Sequence, residues 1–221
     1  MARDEHLLQQ STVGHRGEAM KVLELGEVAY EPLVRGAELR NDFPGYREDY
    51  LAIHCLVVKH GPRRFMEIGT SAGRGTRVIC RAMGIRRFRR NPNVVFSLDV
   101  PPGTDPNIIY PEHEDGHPKV AGRGCRLPYV QLFGNSMEFD FAPYYPIDGW
   151  FIDAKHSYAF VKNDTEKALL SHPQLIIWHD MQINGVREAV EESLADRSDY
   201  SVFRVNDTRI AFAARLEPSP R

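Results

Sequence analysis

The segment from Phe65 to Gly75, FMEIGTSAGRG, constrains the fold of this chain more than any other stretch. A short apolar run that contains Glu67 is followed by glycines at positions 69, 73 and 75, and then by a helix-like stretch, TRVICRAM. Small residues between a buried strand and a helix let the backbone approach a ligand at the helix N-terminus, where unpaired N–H groups gather. The segment therefore predicts a strand, turn and helix that bind a nucleotide, although such turns also occur as plain connections.

Two acidic residues indicate which nucleotide the turn binds. Glu67 lies within the turn, where a carboxylate repels a pyrophosphate and attracts a cationic ligand of the methionine type. The glycine spacing, GxxxGxG, matches neither the GxGxxG nor the GxxxxGK(S/T) pattern. Asp99 ends a second predicted strand, VVFSLDV, where an acid can accept both ribose hydroxyls of an adenosine. A loop cap or a surface charge is the alternative role for Asp99.

The composition of the chain excludes several classes of partner. Its 221 residues suffice for one sizeable core, and 28 Lys and Arg against 30 Asp and Glu give a net charge of −2, without general attraction to nucleic acid or anionic membranes. Its 3 cysteines are widely spread and form no CxxC pair, which indicates a reducing compartment. No apolar run approaches the roughly 18 residues of a transmembrane helix. We therefore expect a cytoplasmic protein without nucleic-acid or membrane partners, and a homo-oligomer is compatible with the sequence.

Strand and helix signals alternate along the chain. Residues 1–60 are predicted to form an N-terminal helical or lid segment, with helices over 21–30 and 46–60, while residues 61–221 form the main domain. The two parts together make one structural unit. Five strand-and-helix alternations followed by a hairpin at 200–216 predict an α/β fold. Its sheet is expected to be doubly wound, mostly parallel and seven-stranded, of Rossmann-like type, with an antiparallel hairpin at the C-terminus.

The residues that end the predicted strands should converge, because ligands of such sheets bind outside the carboxyl ends of the strands. The expected set is Glu67, Asp99, Ser136, Asp153, His179 and Asp180. A nicotinamide-dependent dehydrogenase would share Gly69 and Asp99, but it offers no reason for the acids that end the fourth and fifth strands. An inactive cofactor-binding module would lack those acids.

Two motifs resemble a known family. FIDAKHSY at 151–158, followed by IIWHD at 176–180, resembles the metal-dependent small-molecule O-methyltransferases related to the macrolide-sugar methyltransferases, within the class I S-adenosylmethionine-dependent methyltransferases. The resemblance implies that residues 61–221 form an S-adenosylmethionine-binding catalytic domain, with Mg²⁺ or Mn²⁺ on Asp153 and Asp180. It also implies a set of cofactor contacts: Glu67, Gly69, Thr70, Ser71, Gly73, Asp99, Ser136 and Met137.

The chemistry of methyl transfer also favours a metal. A hydroxyl group is a poor nucleophile until its proton is lost, and a divalent ion lowers its pKa. Carboxylates suit Mg²⁺ or Mn²⁺, and His179 either ligates a softer ion or only orients Asp180. His156 is the candidate general base, three residues after Asp153, because an ordinary imidazole pKa near 6.5 suits proton acceptance at neutral pH. Helix capping or a cofactor contact is the alternative for His156.

Two departures from the family pattern limit the comparison. The relatives commonly have Gly-Asp where this chain has Ala154 and Lys155, and Pro-Gly-Gly where it has SHPQ at 171–174. The first departure adds a cation near the proposed metal. The segment between Ile152 and Lys155 also lacks the Asn-Pro-Pro-Tyr or Asp-Pro-Pro-Tyr motif typical of nucleic-acid methyltransferases.

The acceptor is predicted from the polar stretch at 101–128, whose prolines and glycines indicate a long loop at a substrate mouth. Few large apolar residues lie in it, which favours a hydroxylated small molecule such as a saccharide or glycosylated metabolite. A catechol or phenol is the alternative acceptor. A NAD-dependent oxidoreductase is the alternative function of the whole chain.

Overall fold

The computed structural model describes residues 20–29, 46–87, 90–101 and 125–216. Its strands are β1 (Lys21–Leu23), β2 (Arg64–Ile68), β3 (Val94–Asp99), β4 (Val130–Phe133), β5 (Gly149–Ile152), β6 (Leu175–Trp178), β7 (Tyr200–Val205) and β8 (Ala211–Arg215). Its α-helices are α1 (Leu25–Val28), α2 (Arg47–His60), α3 (Arg74–Ala82), α4 (Tyr158–Leu169) and α5 (Asn184–Leu194). A short 3-10 helix spans Ala142–Tyr144. Within the described ranges, no helix has the length and apolar character needed to cross a membrane.

The described strands form one sheet in the order β1-β7-β8-β6-β5-β2-β3-β4. Strand β2 pairs in parallel with β3 and β5, and β8 runs antiparallel to both β6 and β7. The predicted α/β class, the mostly parallel sheet and the C-terminal antiparallel hairpin are therefore confirmed. The chain leaves β2 toward β3 and β4 and returns on the other side through β5, which places the switch point of the sheet beside β2.

The predicted helix over 21–30 is wrong in its first part. Lys21–Leu23 form a strand that pairs in parallel with Phe203–Val205, and only Leu25–Val28 are helical. The sheet consequently has eight strands rather than seven. A strand of three residues is too short to show an alternating pattern, and its hydrogen-bond partners lie at the other end of the chain.

The second predicted helix is confirmed as α2, which ends at Gly61. Gly61 has a φ of 59°, the left-handed conformation that commonly ends a helix. The described part of residues 1–60 thus joins the same sheet and packs against α3, and the division at residue 60 stays a prediction. Most of the predicted loop at 101–128 lies outside the described residues.

Helices cover both faces of the sheet. Neighbouring residues of β5 point to opposite sides, so that Trp150 belongs to the core under α4 and α5, whereas Phe151 belongs to the core under α2 and α3. The buried indole N–H groups of Trp150 and Trp178 donate to Ser171 Oγ at 3.0 Å and to Thr165 Oγ1 at 2.9 Å. This packed sheet provides a rigid base for the loops at its carboxyl edge.

Candidate active site

Hydrogen bonds beyond the strands keep the loops at the carboxyl edge in register. The N–H group of Asp153, which follows β5, donates to Ile68 O at 2.9 Å, and that of His179, which follows β6, donates to Ile152 O at 3.2 Å. Each exit is therefore attached to the end of the neighbouring strand. The predicted convergence of strand ends follows from these attachments.

The turn between β2 and α3 requires glycine at two positions. Gly69 has a φ of 102°, and a Cβ atom there would lie 2.0 Å from the carbonyl oxygen of Asp153. Gly73 has a φ of 77° at the N-cap of α3, and its N–H group donates to Thr70 O at 2.7 Å. The predicted strand, turn and helix are confirmed, and the turn touches the backbone at the exit of β5.

The side chain of Glu67 lies on the buried, core-facing side of this turn. Its side chain is 1% exposed, and its Oε2 accepts hydrogen bonds from Thr76 Oγ1 and Ser97 Oγ, both at 2.5 Å. Burial raises the pKa of Glu67 to about 8 despite these bonds, so the carboxyl is mostly neutral at pH 7. A Cβ atom on Gly75 would lie 2.5 Å from Glu67 Oε1. Glu67 therefore supports the turn from the core, and it presents little charge to a ligand.

Asp99 ends β3 beside the same turn. Its Oδ2 accepts a hydrogen bond from the Ser71 N–H group at 2.7 Å, and its Oδ1 accepts one from Val100 N–H at 2.8 Å. Ser71 has a φ of 45°, so the turn is held in a conformation that is uncommon outside glycine. Asp99 thus caps the loop, and the predicted ribose contact would use the same carboxylate.

Ser136 and Met137 follow β4 and are attached to the neighbouring exit and to α4. Gly134 N–H donates to Asp99 O at 2.9 Å. From α4, the Lys167 ammonium donates to Ser136 O at 2.7 Å and to Met137 O at 3.0 Å. Ser136 is buried, whereas the side chain of Met137 is 39% exposed. Both residues therefore follow a strand exit that is bonded to the end of β3, and the adenine contact stays a prediction.

Four charged residues gather at the exits of β5 and β6, and we call Asp153, His156, His179 and Asp180 the carboxylate–histidine cluster. His156 Nε2 lies 3.0 Å from Asp180 Oδ2 and 3.7 Å from Asp153 Oδ1. His179 Nδ1 lies 3.1 Å and 3.4 Å from the same two oxygens. Asp180 adopts a left-handed φ of 57°. The structure thus brings together every residue predicted for metal binding and for proton transfer.

The charges of the cluster shift its pKa values strongly. Asp153 and Asp180 raise the pKa of His156 to about 9. Burial opposes protonation of His179, yet the carboxylates of Asp153, Asp180 and Asp49 raise its pKa to about 11. Burial likewise favours the neutral form of Asp180, but the two histidines hold its pKa well below the usual range. With the protein groups alone, both histidines are protonated at pH 7, and an ordinary imidazole pKa does not describe His156.

The donor set of the cluster fits a divalent ion. Ligand atoms of Asp153, His156 and Asp180 lie within 4.8 Å of one another. The Nδ1 atom of His179 is buried, and among the described residues it lies close to the two carboxylates without a well-aligned hydrogen bond. Two carboxylates suit Mg²⁺ or Mn²⁺, and the imidazoles add affinity for softer ions. The structure therefore adds His156 to the predicted ligand candidates Asp153, Asp180 and His179.

The structure also settles two neighbouring contacts. The Lys155 ammonium lies 4.6 Å from the centre of the Phe160 ring, and within the described residues it forms no ion pair with the cluster. Ser157, and not His156, occupies the N-cap position of α4. Helix capping is therefore not the role of His156.

Two residues outside the motifs complete the surroundings of the cluster. Asp49 of α2 is 2% exposed, and its Oδ2 lies 3.2 Å from His179 Nε2. Arg209, in the turn between β7 and β8, donates from Nη2 at 2.7 Å and from Nε at 2.9 Å to that oxygen, and from its N–H to Oδ1 at 2.8 Å. One feature of the sequence could have identified Asp49 as a site residue. It shares the buried helix face with Ala52 and Ile53, where a charged residue is unexpected.

Comparisons with known proteins support the fold. No protein-family model matches this chain, and no curated protein sequence matches it. An O-methyltransferase from Bacillus cereus in complex with SAH is similar in structure, with 20% identity, a TM-score of 0.53, and coverage of 87% of this chain and 90% of that chain. CalS11, a TDP-rhamnose 3'-O-methyltransferase of calicheamicin biosynthesis, has 15% identity, a TM-score of 0.56, and coverage of 81% and 82%.

A third similar structure is TomG from Streptomyces achromogenes, an O-methyltransferase of tomaymycin synthesis in complex with SAM. It has 17% identity, a TM-score of 0.51, and coverage of 87% of this chain and 89% of that chain. Identities this low establish the fold alone. The predicted Rossmann-like fold of the class I S-adenosylmethionine-dependent methyltransferases is confirmed, with O-methyltransferases as its structural neighbours.

Proposed function

We propose that this chain is an S-adenosylmethionine-dependent O-methyltransferase that acts on a hydroxyl group of a small molecule, with the assistance of a divalent ion. The observation that carries the proposal is the placement of two groups at one edge of the sheet. The glycine turn and Asp99 lie at the exits of β2 and β3, and the carboxylate–histidine cluster lies at the adjoining exits of β5 and β6. The fold shared with O-methyltransferases supports the reaction class.

The cofactor is proposed to lie across the exits of β2, β3 and β4. In this arrangement Asp99 accepts the ribose hydroxyls, the turn from Gly69 to Gly73 holds the methionine part, and adenine lies beside Ser136 and Met137. The backbone supports it, because the two glycines keep Cβ atoms out of the turn and the N-terminus of α3 points its N–H groups at the turn. Glu67 contributes by supporting the turn from the core.

The proton of the acceptor is proposed to pass to His156. Its side chain is 42% exposed, so an acceptor can reach it, while Asp180 holds its Nε2 at 3.0 Å. A divalent ion on Asp153 and Asp180 supplies positive charge that lowers the pKa of an acceptor hydroxyl. In the protein alone the two carboxylates raise the pKa of His156 to about 9; an ion held by them would offset their charge and so favour the neutral imidazole that accepts a proton.

The acceptor is proposed to be a saccharide or a glycosylated metabolite. CalS11, one of the similar structures, is a sugar O-methyltransferase, and the motifs at the exits of β5 and β6 resemble that family. A catechol or phenol is the alternative acceptor. Product analysis with a panel of glycosides and catechols separates the two, because only the true acceptor class becomes methylated.

A NAD-dependent oxidoreductase is the second candidate, and one observation favours it. Since Glu67 is buried and mostly neutral, it does not repel a pyrophosphate from the turn. Against it, the glycine spacing GxxxGxG does not match the GxGxxG pattern of dinucleotide-binding turns, and the similar structures are O-methyltransferases.

Thermal stabilisation by S-adenosylhomocysteine and by NAD distinguishes these two functions. We expect a rise in melting temperature with S-adenosylhomocysteine and none with NAD, because binding to the folded state alone stabilises it. Exhaustive EDTA treatment should then abolish methyl transfer and leave S-adenosylhomocysteine binding in place. Stabilisation by NAD alone would refute the methyltransferase proposal, and an EDTA-resistant rate would refute the role of the ion.

A further inference from the structure

The ring of His179 is held from three directions. Its Nε2 lies 3.2 Å from Asp49 Oδ2. The Tyr46 ring stacks on it with centroids 6.0 Å apart and an interplanar angle of 6°, and the Phe151 ring meets it edge-on at 6.4 Å. The side chain of His179 is only 5% exposed. Such a ring has little freedom to turn, so the direction of its remaining nitrogen is set by these contacts.

The contact with Asp49 decides which nitrogen faces the cluster. A carboxylate accepts hydrogen bonds, so the Nε2–H group of His179 donates to Asp49, and Nδ1 is directed at Asp153 Oδ1 and Asp180 Oδ2, at 3.4 Å and 3.1 Å. Histidines that bind a metal through one nitrogen usually donate from the other to a carboxylate or carbonyl. In this chain Asp49 is the carboxylate that faces Nε2 of His179, and the Nδ1 atom of the same ring faces Asp153 and Asp180.

We propose that Asp49 is a positioning residue that orients His179, so that Nδ1, after releasing its proton to solvent, is the nitrogen ligand of the divalent ion held by Asp153 and Asp180. The proposal rests on the function proposed above, and it assigns the two histidines different roles. His179 is buried and held on three sides, which suits a ligand. His156 is 42% exposed, with Asp153 and Asp180 as its ion-pair partners within the described residues, which suits proton transfer to and from an acceptor.

Arg209 keeps Asp49 in place, and its Nη1 also lies 3.9 Å from Asp180 Oδ1. It donates to both oxygens of Asp49, and its guanidinium lies 3.6 Å from the centre of the Tyr46 ring. Asp49 thus has two partners, and a purely structural role would consist of holding Arg209. If Asp49 positions His179, replacing His179 should remove the effect of Asp49 on metal affinity. If Asp49 only holds Arg209, replacing Arg209 should have the same effect as replacing Asp49.

Mn²⁺ affinity, measured by calorimetry without any acceptor, tests the proposal. Asp49→Asn should weaken Mn²⁺ binding by about 10- to 100-fold, the usual effect of losing such a partner of a ligating histidine. His179→Gln should weaken it at least as much, and the double variant should be no weaker than His179→Gln, because Asp49 acts through His179. Arg209→Gln removes the other partner of Asp49 together with a cation 3.9 Å from Asp180 Oδ1, so it should not weaken Mn²⁺ binding. Arg197→Gln, whose guanidinium pairs with Asp199, is the control that should leave Mn²⁺ affinity unchanged. S-adenosylhomocysteine affinity, measured on each variant, should stay unchanged and shows that it is folded.

Several outcomes would overturn the inference. Unchanged Mn²⁺ affinity in His179→Gln refutes the ligand role, even if Asp49→Asn fails to fold. Unchanged affinity in a folded Asp49→Asn variant, or additive losses in the double variant, refutes positioning through His179 and leaves the proposed function standing. A wild-type protein that binds S-adenosylhomocysteine but not Mn²⁺ overturns this inference together with the role of the ion. A protein that binds neither overturns the methyltransferase proposal as well.

Discussion

The turn after β2 and the carboxylate–histidine cluster lie side by side, yet their polar groups are satisfied in opposite ways. Behind the turn, Glu67 is buried, mostly neutral at pH 7, and hydrogen-bonded to two hydroxyl groups. In the cluster, two histidines lie among carboxylates, and within the described residues the buried Nδ1 atom of His179 approaches two carboxylate oxygens to 3.4 Å and 3.1 Å without a well-aligned hydrogen bond. A neutral hydrogen-bonded network makes a rigid base, whereas two carboxylates that are paired with protonated histidines can bind a divalent cation in place of the protons.

Backbone contacts join the two regions. The Cα of Gly69 packs against the carbonyl group of Asp153, so closely that no side chain fits between them. This contact sets the distance between the turn and the cluster. Changes on either side of it should therefore separate effects on cofactor binding from effects on metal and proton chemistry.

Gly69→Ala should have the largest effect, because it forces the two regions apart. Its Cβ atom would lie 2.0 Å from Asp153 O, and the φ of 102° adds strain. We expect a cost of about 4 kcal/mol or more, which lowers the melting temperature by about 10 °C, together with loss of S-adenosylhomocysteine binding. Gly26→Ala is the matched control, since a Cβ atom there meets nothing within 4 Å. Normal melting and binding in Gly69→Ala would contradict the contact.

His156→Ala should change the chemistry of the cluster without affecting the turn. Loss of a positioned acid–base group lowers kcat by about 10² to 10⁴, with little change in cofactor affinity. Because Asp153 and Asp180 raise the pKa of His156, the wild-type rate should rise with pH as this imidazole loses its proton, and this step should vanish in the variant. His172→Asn, at an exposed histidine in a left-handed conformation, is the control. A kcat within about threefold of the wild type would remove His156 from the reaction.

Asp99→Ala should affect the turn without affecting the cluster. It removes the acceptor for Ser71 N–H and the proposed acceptor for ribose. Loss of hydrogen bonds to a charged group costs about 1.5–3 kcal/mol, so S-adenosylmethionine affinity should fall by about 10- to 100-fold in calorimetry. Asp99→Asn retains one acceptor oxygen and should lose less. Full affinity in Asp99→Ala would refute the ribose assignment, and a loss of Mn²⁺ affinity would show that the two regions are coupled.

Glu67→Gln should have the smallest effect, one that depends on pH. The folded-state pKa of Glu67 is about 8, above its ordinary 4.5, so the folded protein holds this proton more tightly than the unfolded chain does. The associated stability is fully present below pH 4.5 and is lost as the pH rises through 8. Calorimetric melting of the wild type should therefore fall relative to Glu67→Gln between these values. Parallel melting curves for the two proteins would show that Glu67 is charged in the fold.

The sequence by itself determined the parts of the structure that depend on neighbouring residues. The strand, turn and helix around Gly69 follow from a buried apolar run and from glycines at positions of positive φ, both of which are local properties. The alternation of strands and helices predicted a parallel sheet, and the rule that strand ends converge placed Asp99, Asp153 and Asp180 at one edge. The location of these residues at one edge of the sheet could be predicted without knowing which side chains are in contact.

Tertiary structure alone decided the partners of these residues. Glu67 turned inward because Thr76 and Ser97, on two other elements, offer hydroxyl groups to its carboxylate. Asp49 reaches His179 because α2 packs beside β6, a contact between distant parts of the chain that leaves only an unexpected charge on an apolar helix face. Burial and charge pairing, which set the pKa of each group and the direction of each imidazole, arise only after such elements have packed.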